Sequence, residues 1–331
     1  MKLKPFIQTV LDKYDYFRYK KNVIIGNREY RWCSIPVPSG YPKQSQTHPA
    51  IIFSAQKWND YSYWIATTPY PDENIKYENP CIYKSNDPVT FQPIKKNPIA
   101  DYPGNMAYNS DPELFLHNDI LYCIVRENEN ENYLREIKLM SSLNGEDWSE
   151  PKTIYTSNDE ARQLLSPSYI TKNNKHLIYF LNGDAGIGKH GVCTGIEIAE
   201  SEDLNNPRFE LSAVGLFNNK DDVKIEPWHF DLFEYNNLLY MILCGRDRSK
   251  KTFRNPMYTY LAVSEDYVNF RIFPKPIVRY LKSYRPSAYL DNKNILHLYF
   301  SVIGGFLKDG SDRNIGYTSI PFEELLNELR K

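Results

Sequence analysis

An all-β fold, a five-bladed propeller of three- to four-stranded antiparallel blades around a central funnel, is predicted by three observations. Short proline-led apolar segments recur at a nearly fixed interval, with prolines at 49, 112, 167, 227 and 286. Each segment is followed by an Asn/Asp-rich turn and a second apolar run, the signature of a hairpin. Aromatic residues make up 15% of the chain, with 27 Tyr among 331 residues, a composition that suits short strands better than helical bundles. The prolines are separated by 63, 55, 60 and 59 residues. A repeat of about 60 residues holding three or four strands is one propeller blade.

The elements follow in order. Residues 1–45 lie outside the repeat as an N-terminal extension, in which Asn22–Gly26 and Glu29–Trp32 supply either a ring-closing strand or a cap. The propeller occupies 46–331, with blades starting near 48, 111, 166, 226 and 285. The five inner strands open as His48-Pro49-Ala50-Ile51, Asp111-Pro112-Glu113-Leu114, Ser166-Pro167-Ser168-Tyr169, Glu226-Pro227-Trp228-His229 and Arg285-Pro286-Ser287-Ala288. Second strands read as apolar runs, such as Leu121-Tyr122-Cys123-Ile124-Val125 and Leu238-Leu239-Tyr240-Met241-Ile242. Third strands end in a Ser-acidic-aromatic pattern in four units, for example Ser264-Glu265-Asp266-Tyr267. The tail from Phe322 to Lys331 has the composition of a short helix.

Composition excludes several classes. The 40 basic and 41 acidic residues give a net charge of -1, so nothing favours a nucleic-acid partner. No apolar run reaches membrane-spanning length and the first residues lack the apolar core of a secretion signal, so no membrane partner is expected. A soluble chain, cytoplasmic or phage-associated, is the expectation. The cysteines at 33, 81, 123, 193 and 244 form no CxxC or Cys/His cluster, and no cofactor, metal ligand set or disulfide framework is expected from them.

The proline-led inner strands, the hairpins and the Ser-acidic-aromatic turns resemble the five-bladed propellers of glycoside hydrolase families 43, 62, 32, 68 and 117, over residues 48 to about 320. Ser142-Leu143-Asn144-Gly145-Glu146-Asp147-Trp148 is similar to the outer-turn Asp-box of sialidases. The resemblance implies a general-base Asp from the first blade, an orienting Asp from the second and a general-acid Glu from the third, all pointing into the funnel. Asp111 matches the second of these. The first-blade position is His48 and the third is Ser166, so the triad is not intact. The resemblance also implies a structural calcium in the funnel as an option.

Four of the five pre-proline residues are ionisable, which a purely architectural proline does not require. Their convergence on one axis points to a polar site. Glycoside hydrolysis needs two carboxyl groups. Asp111 and Glu226 are therefore the preferred pair, with Glu127 and His48 as further catalytic candidates. Arg126, Arg246 and Arg285 suit an acidic sugar through their planar forks. Ser166, Trp228, His229, Asp184, Glu78 and Tyr317 complete the expected ligand contacts. Strand alternation places Trp228 on the side of Glu226 and His229 on the other, unless a bulge intervenes. The leading reading is a glycoside hydrolase-like protein acting on an oligo- or polysaccharide of a bacterial or other surface; a non-catalytic glycan-binding module and a glycan-building transferase are its competitors.

Overall fold

A computed structural model describes residues 31–129, 133–159, 162–183, 193–219, 224–248, 257–278, 283–303 and 313–331. Five sheets follow one another along the chain and form five propeller blades, antiparallel but for the short strand Phe217–Asn219, which joins the outer edge of blade four in parallel. The inner strands are Gln46–Trp58, Tyr108–His117, Leu165–Lys172, Ile225–Tyr235 and Ser283–Leu290. Each pairs with the strand after it, and that strand with the next, in a simple meander. In blade five the third strand, Arg313–Pro321, pairs on its outer side with Arg31–Trp32, so the first and last described strands meet in one sheet. The tail forms the helix Phe322–Arg330, which buries Phe322, Leu325, Leu326 and Leu329 against blades four and five.

Buried side chains sort into one cluster per blade interface. Ala50, Trp64 and Ile82 meet Leu114, Cys123 and Val125 between blades one and two. Ile51, Ile65 and Tyr83 meet Tyr299, Ile315 and Tyr317 between blades one and five. Second strands are apolar on both faces because each lies between two such clusters, whereas outer strands such as Glu210–Gly215 are largely exposed. Each buried Leu, Ile or Phe in these clusters contributes about 1.5–3 kcal/mol. The cysteines 33, 81, 123 and 244 are buried thiols within this packing.

Near the axis the apolar layers give way to a polar seam. The Asp231 carboxylate accepts from Ser168 Oγ at 3.0 Å, Ser287 Oγ at 2.7 Å and the Ala288 amide at 2.9 Å. Glu113 lies on the other side of Ser168, 3.3 Å from its Oγ. Arg285, with no exposed surface, donates to the carbonyls of Phe230 at 2.5 Å and Pro112 at 2.9 Å, tying blades two, four and five together. Burial first, then the charge of Asp231, pushes the Glu113 carboxyl well above the usual range. A carboxyl raised on folding contributes stability below its unfolded pKa, near 4.3, and that contribution is lost as pH rises through the folded value. Glu113→Gln keeps the shape and does not titrate. In paired urea melts the variant is expected to gain on the parent as pH climbs from about 4 toward neutrality; a constant gap defeats this account.

Candidate active site

The funnel mouth is a cavity of about 710 Å³ whose lining includes His48, Glu78, Asp111, Arg126, Trp228, His229 and Tyr284. Bulges aim the deepest of these inward. Thr47 pairs with Thr68 and Ala50 with Ala66, so His48 and Pro49 together face a single residue. The same happens at Asp111-Pro112 and Ser166-Pro167. A residue before proline is expected to be extended. Instead His48, Asp111, Ser166 and Arg285 take φ of 51°, 49°, 51° and 41°, in the left-handed region. Each such non-glycine residue costs on the order of 1 kcal/mol or more, strain that the ladder pairs flanking each bulge hold in place.

Blade four departs from the proline rule. Counted back from the last paired residue before each turn, Glu113 from His117, Ser168 from Lys172 and Asp231 from Tyr235 hold one equivalent place. The residues two earlier are Asp111, Ser166 and His229. Pro227 thus sits upstream of the equivalent position, and the ionisable residue delivered to the axis is His229 rather than Glu226. The bulge falls between Pro227 and His229, which reverses simple alternation and sets both Trp228 and His229 on the cavity wall.

Asp111 is the centre of the site and has no exposed surface. Its Oδ2 is held by Arg126 Nε at 3.3 Å and by the Ser166 amide at 3.3 Å. Its Oδ1 has no hydrogen bond and faces His229 Nδ1 at 3.4 Å and His48 Nε2 at 3.9 Å. His48 Nε2 is likewise buried without a hydrogen bond. The far nitrogens are held: His48 Nδ1 lies 2.7 Å from Thr68 Oγ1, and His229 Nε2 lies 2.7 Å from Tyr284 Oη. We assign the ring protons to these two nitrogens, which leaves His48 Nε2 and His229 Nδ1 as lone pairs converging with Asp111 Oδ1. Ser166 Oγ donates to His229 Nδ1 at 2.5 Å.

Electrostatics agree with this assignment. Burial pushes His48 down to about 4, and burial also holds His229 well below the usual imidazole range. Both rings are neutral near pH 7. Burial opposes ionisation of Asp111, but the cationic groups around it, the two rings when protonated and Arg126 and Arg285 throughout, keep the carboxyl below its usual range. Glu78, 3.3 Å from His48 Nδ1, is pushed well above the usual range by burial and then by the Asp111 charge. The cavity therefore holds two carboxyls whose proton affinities are pushed in opposite directions.

Two neutral imidazole nitrogens and a carboxylate oxygen, all within 4.8 Å of one another, are a donor set for a first-row divalent ion. Ligands about 2.1 Å from a tetrahedral metal stand about 3.4 Å apart. The observed 3.4 and 3.9 Å to Asp111 Oδ1 are close to this and the two orphaned buried atoms would gain a partner, while Ser166 Oγ, which donates into the His229 Nδ1 lone pair, would have to turn away to admit an ion. Thr68 and Tyr284 hold the outer nitrogens, as metal-bound histidines require. The sequence carried no sign of this set, because its members are 63 and 118 residues apart on three blades.

Other expected site residues sit elsewhere. The Glu226 carboxylate is paired with Arg248 and does not line the cavity. Glu127 pairs with Lys138 at 2.6 Å, on the side of its strand away from the funnel residue Arg126. Arg246 lies over the outer ring face of Trp228, 5.4 Å from its centroid. Arg285 is spent on the polar seam, and Tyr317 packs between blades one and five with its hydroxyl 2.8 Å from His297 Nδ1. Asp184 lies outside the described residues. Cavity residues that the repeat did not reveal include Tyr108, Arg135, Gln163 and Arg313, none at a pre-proline position.

A five-bladed propeller with a buried His–Asp–His funnel is the class that fold and site define. No protein-family model matches the chain, and no curated protein sequence matches it. Solved structures do. An N-acetylgalactosamine deacetylase from F. plautii, in complex with blood group B trisaccharide, is similar over 91% of this chain and 97% of its own, with 19% identity and a TM-score of 0.75. A GH43_1 enzyme from Xanthomonas citri, complexed with xylotriose, is similar over 83% and 86%, with 13% identity and a TM-score of 0.58. The catalytic domain of a GH62 α-L-arabinofuranosidase from Coprinopsis cinerea is similar over 88% and 96%, with 10% identity and a TM-score of 0.60. The propeller fold is common to all of them. Among the described residues no helix is long and apolar enough to cross a membrane.

Proposed function

We propose that the chain is a carbohydrate-active hydrolase that removes an N-acyl group from a glycan, using a divalent ion held by His48, Asp111 and His229. The observation that carries this reading is the convergence of two lone-pair nitrogens and a carboxylate oxygen, two of the three atoms lacking any other partner. Similarity to a deacetylase over nearly the whole of both chains supports it. The 710 Å³ cavity and its aromatic lining of Tyr70, Tyr108, Tyr133 and Trp228 suit stacked sugar rings.

A bound ion supplies Lewis acidity toward the acyl oxygen and lowers the pKa of a bound water. The chain's own part is positional. Arg126 and the Ser166 amide fix Asp111, Thr68 and Tyr284 fix the two imidazole planes, and Glu78, whose hold on a proton burial strengthens, stands at the cavity wall 3.3 Å from His48 Nδ1. Overall, the water oxygen bonds to the acyl carbon, the carbon–nitrogen bond breaks, the carboxylic acid leaves and the amine takes the water proton.

A second reading, glycosidic cleavage, is favoured by one observation. Asp111 and Glu78 have their proton affinities pushed apart, as an acid/base pair requires. One assay separates the two. Protein stripped with EDTA and reloaded with Zn²⁺, Mn²⁺ or Co²⁺ is given N-acetylgalactosamine-containing oligosaccharides, and acetate and reducing ends are both measured. Acetate release that vanishes with EDTA and returns with metal is expected. Reducing ends that appear regardless of metal establish the glycosidase instead, and binding without either product leaves a glycan-binding module.

A further inference from the structure

We propose that the cavity also contains a subsite for a sugar carboxylate, read by Arg135, so that the glycan acted on is acidic. This rests on the reading of the cavity as a glycan site. Arg135, near the start of the blade-two strand Leu134–Ser142, lines the cavity and is only 3% exposed. Its Nη1 donates to the carbonyls of Glu129 at 2.7 Å and Leu134 at 3.1 Å, which fixes the guanidinium plane. The other edge of the fork, Nε and Nη2, faces a neutral amide oxygen, Gln163 Oε1, at 3.5 Å from each nitrogen. That is the outer limit of a hydrogen bond.

Arg135 enters no ion pair among the described residues, which is rare for a guanidinium this deeply buried. Its neighbours add to the imbalance. Arg126 donates through Nη1 to the backbone carbonyl of the same Gln163 at 3.0 Å, but Asp111 already answers its charge. Arg313, reaching in from blade five, is matched by Glu73, which is largely exposed at the rim. Three guanidinium groups thus line a cavity in a chain whose net charge is -1. Burial, and then the like charge of Arg126, weakens the hold of Arg135 on its proton, as befits a cation short of a counter-anion. The Nε/Nη2 edge is the one that takes a carboxylate with two parallel hydrogen bonds.

The test uses metal-free protein and isothermal titration with matched trisaccharides, in which N-acetylgalactosamine adjoins a uronate, a sulfated hexose or a neutral hexose. The uronate ligand is expected to bind at least about tenfold tighter than the neutral one. Gln163→Glu places a carboxylate of the chain itself against Arg135, so it should abolish that preference while leaving the melting temperature equal or higher. Arg135→Lys keeps the charge but loses the fork, and the preference should drop severalfold. Equal binding of uronate and neutral ligands overturns the proposal, as does a preference that survives Gln163→Glu; sulfate bound as tightly as uronate overturns the carboxylate assignment. Acetate release is scored separately. Preference without turnover defeats the deacetylase reading and leaves the subsite standing, and turnover without preference does the reverse.

Discussion

Asp111→Asn is expected to reduce acetate release by at least about 100-fold and to abolish stabilisation by added metal. In the parent protein, an ion at about 100 times its Kd adds about 2.7 kcal/mol of stability. The variant should show none of it in a thermal melt. The reasoning is local. Oδ1 is the only anionic donor of the set, and Oδ2 is what Arg126 and the Ser166 amide grip. An amide in its place offers a weaker ligand and leaves Arg126 buried beside a neutral group, at a further cost of about 3 kcal/mol in the metal-free protein. A variant that still gains stability with Zn²⁺ or Mn²⁺ removes Asp111 from the ligand set.

The second large effect contrasts two neighbours on one strand. His229→Gln should cost about 100-fold in activity and most of the metal-dependent stabilisation, since it removes a lone pair facing Asp111 and the bond to Tyr284. Glu226→Gln should leave activity within about threefold, because it breaks a pair with Arg248, whose side chain is 44% exposed, and such pairs contribute about 0–1 kcal/mol. Equal damage from both substitutions would falsify the blade-four register on which the site rests.

That register marks the boundary of what the sequence discloses. The propeller is legible because its causes are local and repeated: turn residues, apolar runs and regular spacing each act within one blade. His48, Asp111, Ser166, Arg126, Trp228, His229 and Glu78 could all be named in advance and all line or abut the cavity. The sequence favours Glu226 over His229 because Pro227 imitates the other blades. Proline identity is visible in a sequence, but the bulge that decides which side chain reaches the axis depends on pairing with Gly245 and Cys244 of the next strand. Arg285 shows the complementary failure. It holds the equivalent position correctly, yet the polar seam consumes its hydrogen bonds. The candidate metal-ligand set and the Arg126–Gln163–Arg135 cluster span separate blades, so no spacing rule exposes them.

Blade five, built from Arg31–Trp32 at one end and Ser283–Pro321 at the other, has a bearing on when the site comes into being. Ser301 of that blade bonds the backbone amide of His48 at 2.9 Å and Thr47 Oγ1 at 3.2 Å, across more than 250 residues of chain. Contacts of such long range form late. During synthesis, His48, Asp111 and His229 are all present before Ser301 exists, yet the bonds from Ser301 to the strained turn that aims His48 form only once the last blade arrives. A chain whose ring is still open is therefore not expected to hold His48 in register with Asp111 and His229.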